Sequence, residues 1–176
     1  MDFVAFKSSA NPAVGALAPP INAAAQAAQI PPCLLAAIVA RETGGRNILQ
    51  IGVAPGPGCG CGLCQITAGV SWASITNPTY EGYPLLVPSE NLHVAAVFFL
   101  APLLVSAQRA QTERPGEFAA SCRGQVVFAV AAGYNAGWGK VQLAMLEGVD
   151  ADTQTTNGYA ADVLSRYEAF VVESHA

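Results

Sequence analysis

Leu34-Leu35-Ala36-Ala37-Ile38-Val39-Ala40-Arg41-Glu42-Thr43-Gly44-Gly45 is an apolar run that ends on one carboxylate and then on two glycines. Pro31-Pro32 suits the first turn of a helix and Gly44-Gly45 stops one, so a helix is predicted up to Glu42. After Glu42 no Asp or Glu appears until Glu81. Burial against Leu35, Ile38 and Val39 disfavours the Glu42 anion, and so does the negative end of the helix dipole. An acid kept protonated near neutral pH can give its proton to a glycosidic oxygen. Arg46 would oppose this if it reached the carboxylate, and is expected to point elsewhere. A Glu before two glycines is otherwise just a solvated helix end, so the neighbouring segments decide its meaning.

Residues 1–16 show no periodic pattern and read as a flexible N-terminal arm preceding one domain, 17–176. Pro19-Pro20 opens a helix over Ile21 to Ala28, and Pro31-Pro32 ends it. Residues 46–64, rich in Gly, Pro and Cys, read as loop with a short strand or hairpin around Leu49 to Val53. A short helix is expected within Gln65 to Ile75, and loop over Asn77 to Pro88. Ser89 is expected to cap a long helix over Asn91 to Gln111, which Pro115-Gly116 separates from another over Glu117 to Ala132. Helical segments follow at Trp138 to Glu147 and about Gly158 to Val172, the latter with Tyr159, Val163, Tyr167 and Phe170 at helical spacing. The fold class is therefore mainly α, with a small loop/β insertion after the helix that carries Glu42.

The 176 residues are 52% apolar and 11% charged, with net charge −4. Disorder, a nucleic-acid partner and attraction to acidic membranes do not fit those values. The run Val94 to Ala107, about 14 residues and interrupted by Pro102, is shorter than a membrane span, so a buried central helix and no membrane span are expected. Five cysteines cannot all pair within the chain. Cys59, Cys61 and Cys64 invite a zinc reading, but a structural site needs a fourth ligand, from Cys33, Cys122 or His93. No metal or other cofactor is expected; one disulfide within this group, reaching Cys33 or Cys122, is the favoured alternative.

Four segments in order resemble the soluble lytic transglycosylase family, which shares its fold with goose-type lysozymes. Ile30 to Gly44 is similar to that family's helix ending in the catalytic Glu, followed by a small hydroxyl residue and Gly. Gly62-Leu63-Cys64-Gln65-Ile66 resembles Gly-Leu-x-Gln-Ile, with Cys64 where Met is usual. Pro88-Ser89-Glu90-Asn91-Leu92 is similar to the start of the family's central helix. Ala132-Gly133-Tyr134-Asn135-Ala136-Gly137 resembles Ala-Tyr-Asn-Ala-Gly, with Gly133 for the second Ala. At the tail, Thr155 stands where the family often has Glu, four residues before Tyr159.

The resemblance implies a lysozyme-like helical domain that cleaves the MurNAc–GlcNAc bond of peptidoglycan glycan strands. Glu42 is implied as acid and then base, with a 1,6-anhydro product and no second carboxylate. Thr43, Gln65, Tyr134, Asn135 and Tyr159 are implied around the sugar: Thr43 and Gln65 on the N-acetyl group, Tyr134 orienting Glu42, Asn135 on a hydroxyl or a backbone clamp. Trp72 and Trp138 are candidates for sugar stacking or for core packing. The rival readings are a hydrolytic muramidase on the same fold, a non-catalytic cell-wall-binding domain, and a thiol–metal module. No Sec-type signal is visible, so action in the periplasm or cell wall implies delivery by a specialised secretion system or a phage-related route. For an antibacterial effector, an immunity or inhibitor protein is the expected partner.

Overall fold

The structure, a computed structural model, describes residues 3–49, 59–67 and 78–176. It is mainly helical. Helix α1 (Pro12–Gly15) and α2 (Ala18–Ala28) lead into α3 (Pro32–Glu42), each begun by proline in its first turn. Every residue of α3 from Pro32 to Ala40 is buried, which is what a helix apolar on all faces requires. Only Arg41 and Glu42 emerge, together, at its C-terminus. Helix α3 packs against α1, α2 and the last helix, α9 (Tyr159–His175).

The insertion after α3 holds two small antiparallel hairpins. Strand β1 (Gly60–Cys61) pairs with β2 (Ile66–Thr67), and Leu49 bridges to Cys61. The helix expected within Gln65 to Ile75 is therefore a strand where it is described, at Ile66–Thr67; residues 68–75, with Trp72, lie outside the described residues, as do 50–53 of the expected hairpin. The loop expected over 77–88 contains β3 (Thr79–Tyr80) and β4 (Tyr83–Pro84), turned through Glu81 and Gly82, both at positive φ.

A continuous helix runs from Pro88 to Glu113. It comprises α4 (Pro88–Val94), a π-helical segment (Ala95–Leu100) and α5 (Ala101–Glu113). Pro88 occupies the first turn and Val87 the N-cap, so Ser89 is inside the helix rather than capping it. The π segment directly precedes Pro102, whose ring offers no N–H to the regular ladder. At 26 residues this helix is long and apolar enough, by length and composition alone, to cross a membrane. In this fold it packs against α2, α3 and α7.

The expected helix over Glu117 to Ala132 is two helices, α6 (Pro115–Cys122) and α7 (Val126–Ala136). Arg123 and Gly124, both at positive φ, break it. Helix α8 (Trp138–Glu147), a 3-10 turn (Ala151–Gln154) and α9 complete the chain. Helix α9 packs against both α3 and α7, the pair that carries the candidate site.

The segment read as an arm is tied down. Phe6 is buried, its ring centroid 5.1 Å from that of Phe170. The Phe6 N–H donates to Asn22 Oδ1 at 2.7 Å, and its carbonyl accepts from Asn22 Nδ2 at 3.0 Å. The Lys7 N–H donates to Ser174 Oγ at 3.2 Å, which staples this segment to α9.

Candidate functional site

Glu42 ends α3 half-buried, and the hydroxyl of Tyr159 donates to its Oε1 at 2.5 Å. Burial pushes the Glu42 carboxyl above its ordinary range; the Tyr159 hydrogen bond and the nearby Arg41 guanidinium pull it part of the way back. Arg46 does point elsewhere, its Nε donating to the Thr43 carbonyl at 3.1 Å. A buried acid held by one neutral donor can stay protonated and still keep a fixed direction.

The residue that orients Glu42 differs from the sequence expectation. The hydroxyl of Tyr134 donates to the Cys64 carbonyl at 2.7 Å, not to Glu42, so that role passes to Tyr159. Tyr159 is itself buried, and its position depends on the turn before α9. There Asp152 accepts from the Ala160 N–H at 2.8 Å, the Ala161 N–H at 3.3 Å and the Thr155 hydroxyl at 2.5 Å. Thr155 Oγ1 in turn accepts from the Tyr159 N–H at 3.2 Å. Asp152, three residues before Thr155, satisfies the open N-terminal end of α9. No local capping pattern marks Asp152, because its backbone partners lie eight and nine residues away.

Thr43, Gln65 and Tyr134 converge on the loop between β1 and β2. The buried Thr43 hydroxyl donates to the Leu63 carbonyl at 2.9 Å. Gln65, at φ +50, directs Nε2 to the carbonyls of Gly62 at 2.9 Å and Ile48 at 3.0 Å. With Tyr134 on Cys64, these three side chains spend their donors on backbone and fix the floor beside Glu42. The sequence reading placed them on the sugar; the structure makes Thr43 and Gln65 props of the loop.

Asn91, quoted in the sequence motif but not counted as a site residue, completes this frame. It is fully buried, donating to the Cys61 carbonyl at 2.9 Å and the Leu85 carbonyl at 3.0 Å while accepting from the Cys64 N–H at 2.9 Å. Exposed Asn135 accepts from the Thr156 N–H at 2.9 Å, the backbone clamp among its two expected roles. Its exposed Nδ2 makes no hydrogen bond within the described residues.

Trp138 packs on the core beside Gly133. A Cβ at Gly133 would meet Leu103 Cδ2 at 2.7 Å, the far end of a flexible side chain. All five cysteines are buried; Cys33, Cys59, Cys64 and Cys122 are free thiols, so neither Cys33 nor Cys122 forms the expected bridge. Burial raises the thiols of Cys33 and Cys64, and that of Cys122 to about 11, which keeps them protonated and poor as metal ligands or nucleophiles. Among the described residues no group of three or more His, Cys, Asp or Glu side chains is arranged around a common point.

The Tyr159 contact gives a test by pH. Removing its hydroxyl in Tyr159→Phe deletes a bond that favours the Glu42 anion, so the Glu42 pKa should rise further. If protonated Glu42 is the working form, activity falls as pH rises through that pKa. The alkaline limb of the pH–rate profile should then move to higher pH while the maximal rate drops about tenfold or more from lost orientation. A limb that stays put or moves down would show that Tyr159 does not act on this carboxylate. No family model matches the chain, and no curated protein sequence matches it.

Proposed function

We propose that this chain is a lysozyme-like lytic transglycosylase that cleaves the MurNAc–GlcNAc bond of peptidoglycan without water, with Glu42 as acid and then base. The observation that carries the reading is a half-buried carboxylate, the one Asp or Glu among the described residues with a raised pKa, fixed by a neutral tyrosine at the end of an apolar helix. Two-carboxylate hydrolysis needs a second Asp or Glu across the bond. Outside the described residues, 50–58 and 68–77 contain no acid, and Asp2 is the one acid. Asp162, one helical turn from Tyr159, is held by Arg41 and Arg166, and Asp152 is spent on α9. Asp150, Glu113 and Glu117 pair with Arg123, Arg109 and Arg114. Glu81, the distant candidate for a second acid, sits at the exposed tip of the β3–β4 turn.

A mechanism that uses Glu42 alone closes on the substrate. The Glu42 carboxyl protonates the leaving glycosidic oxygen as the C1–O bond breaks, and the sugar's N-acetyl oxygen attacks C1 in its place. The Glu42 carboxylate then takes the proton from the C6 hydroxyl of the same sugar, whose oxygen displaces the N-acetyl group. Glu42 regains its proton and the product is a 1,6-anhydro sugar. Asn135 Nδ2 is available to a sugar hydroxyl, while Thr43, Gln65 and Tyr134 hold the floor. Such an enzyme works in the periplasm or cell wall, as an antibacterial effector or phage-type lytic enzyme.

Digestion of purified peptidoglycan, followed by mass analysis of the muropeptides, tests this reading. Products about one water lighter than hydrolysed muropeptides are expected. Reducing-end products would transfer the assignment to a hydrolytic muramidase, and binding without cleavage to a wall-binding domain.

A further inference from the structure

The charged side chains of this chain are few, and three of its arginines are neutralised one to one: Arg109 with Glu113, Arg114 with Glu117 and Arg123 with Asp150. One place departs from that pattern. Asp162 on α9 is shared by two guanidiniums, with Arg41 Nε at 3.1 Å and Arg166 Nε at 3.0 Å from the same oxygen, Oδ2. Arg166 Nε donates to Asp162, whereas the buried Arg41 Nε lies at ion-pair distance without a hydrogen bond, and no Nη of either makes a hydrogen bond within the described residues. The three side chains are 28%, 38% and 38% exposed, so the cluster reaches solvent. It carries one positive charge in excess, on a chain whose net charge is −4.

Its position is specific. Arg41 directly precedes Glu42, and its guanidinium lies 5.2 Å from the centroid of the Tyr159 ring, whose hydroxyl holds Glu42. The excess cation is thus one tyrosine ring away from the acid. Arg46 is taken up by the last turn of α3, and Arg166 makes an i, i+4 pair with Asp162 on α9, so the Arg41 guanidinium is the one left in excess on that acid. A planar fork with free Nη donors is suited to a carboxylate, and two forks on one acid leave the charge to bind it.

We propose that Arg41 and Arg166 form a recognition site for a carboxylate carried on the muramic residue next to the scissile bond. This rests on the glycan-cleaving reading above and adds to it the anionic substituent that the site selects. The carboxylate has two sources, the lactyl group of a glycan without peptides or the peptide stem that otherwise caps that group. Asp162 orients the Arg166 guanidinium by a hydrogen bond and lowers the charge of the pair to a single unit.

The test uses the full chain with Glu42→Gln, which holds glycan uncleaved, titrated with three muramoyl tetrasaccharides. One has free lactyl carboxylates, one bears ionised peptide stems, and one bears stems with every carboxylate amidated. Dissociation constants are read alongside the arginine Nε–H resonances of Arg41 and Arg166. An ionised ligand should bind about three- to fivefold tighter than the amidated one, less so at high salt, as expected for a partly exposed charge pair. Arg166→Gln should reduce that preference to none, and Arg166→Lys, which keeps the charge but not the fork, should keep only part of it. Whichever ionised ligand shows the preference identifies the lactyl group or the stem as the source. Glycan binding with no preference, or a preference that survives Arg166→Gln, overturns this inference and leaves the glycan reading standing. Failure of all three ligands to bind overturns both.

Discussion

Glu42→Gln is expected to lower peptidoglycan cleavage by about a thousandfold, within the range typical for removal of a positioned general acid. The substitution preserves shape: the amide oxygen can still accept from Tyr159, and the side chain still fills the end of α3. What it removes is the acidic proton, without which the leaving oxygen departs as an alkoxide. A residual rate above one-tenth of the wild type, in muropeptide release per unit time, would remove Glu42 from the chemistry. The same variant carries its own folding control. The folded-state pKa of Glu42 is raised, so the folded state binds its proton more tightly than the unfolded chain does. Stability due to this group is present below the unfolded-state pKa and is lost as pH rises through the folded one. Gln cannot ionise, so Glu42→Gln should gain stability over the wild type on going from about pH 4 to neutrality, where a carboxyl of ordinary pKa is already charged. Thermal melts at both pH values check the sign. Lost activity with an unchanged or higher Tm at neutral pH assigns the loss to chemistry.

What the sequence made legible, and what it hid, divides by the range of the interactions concerned. The end of α3, its proline start and the raised pKa of Glu42 follow from neighbours within a few residues, and local patterning carries that information. The identity of the residue holding Glu42 does not. Tyr159 lies 117 positions away, and its spacing fits core packing as well as function. Tyr134 was the better candidate by motif, yet its hydroxyl is taken by a carbonyl that only the folded loop supplies. Asp152 was invisible for the same reason, since it caps α9 across a turn instead of from the adjoining position. The break between α6 and α7 was signalled by Gly124, but the apolar residues on either side kept the helical pattern going through it. Polar side chains such as Thr43 and Gln65 read from sequence as groups free for a ligand. In the fold they are consumed by the backbone of an irregular loop, which has few partners of its own.

That loop makes Asn91 the position with the largest expected effect on stability. Its amide satisfies two carbonyls and one N–H, all in the buried core of the insertion, and joins residues 61–64 to Leu85 and to the start of the long helix. Alanine would leave the carbonyls of Cys61 and Leu85 and the N–H of Cys64 without these partners, at about 1–3 kcal/mol each if water does not replace them. A loss of about 3–5 kcal/mol is expected for Asn91→Ala, read as a fall in the urea midpoint at constant slope. Asn91→Leu separates the causes: it refills most of the volume without restoring any bond. Recovery in Leu would mean that Asn91 works by packing; equal loss in both would mean that it works by hydrogen bonding. The frame is also sterically closed, because a Cβ on Gly62 (φ +73) would lie 2.2 Å from Asn91 Nδ2 and 2.4 Å from the Leu85 carbonyl. Gly62→Ala should therefore reproduce the Asn91→Ala phenotype with the amide still present. Since Tyr134 and Thr43 rest on the same loop, both variants should lose glycan cleavage along with stability. Destabilisation with full activity at low temperature would show that the loop is not the floor of the site.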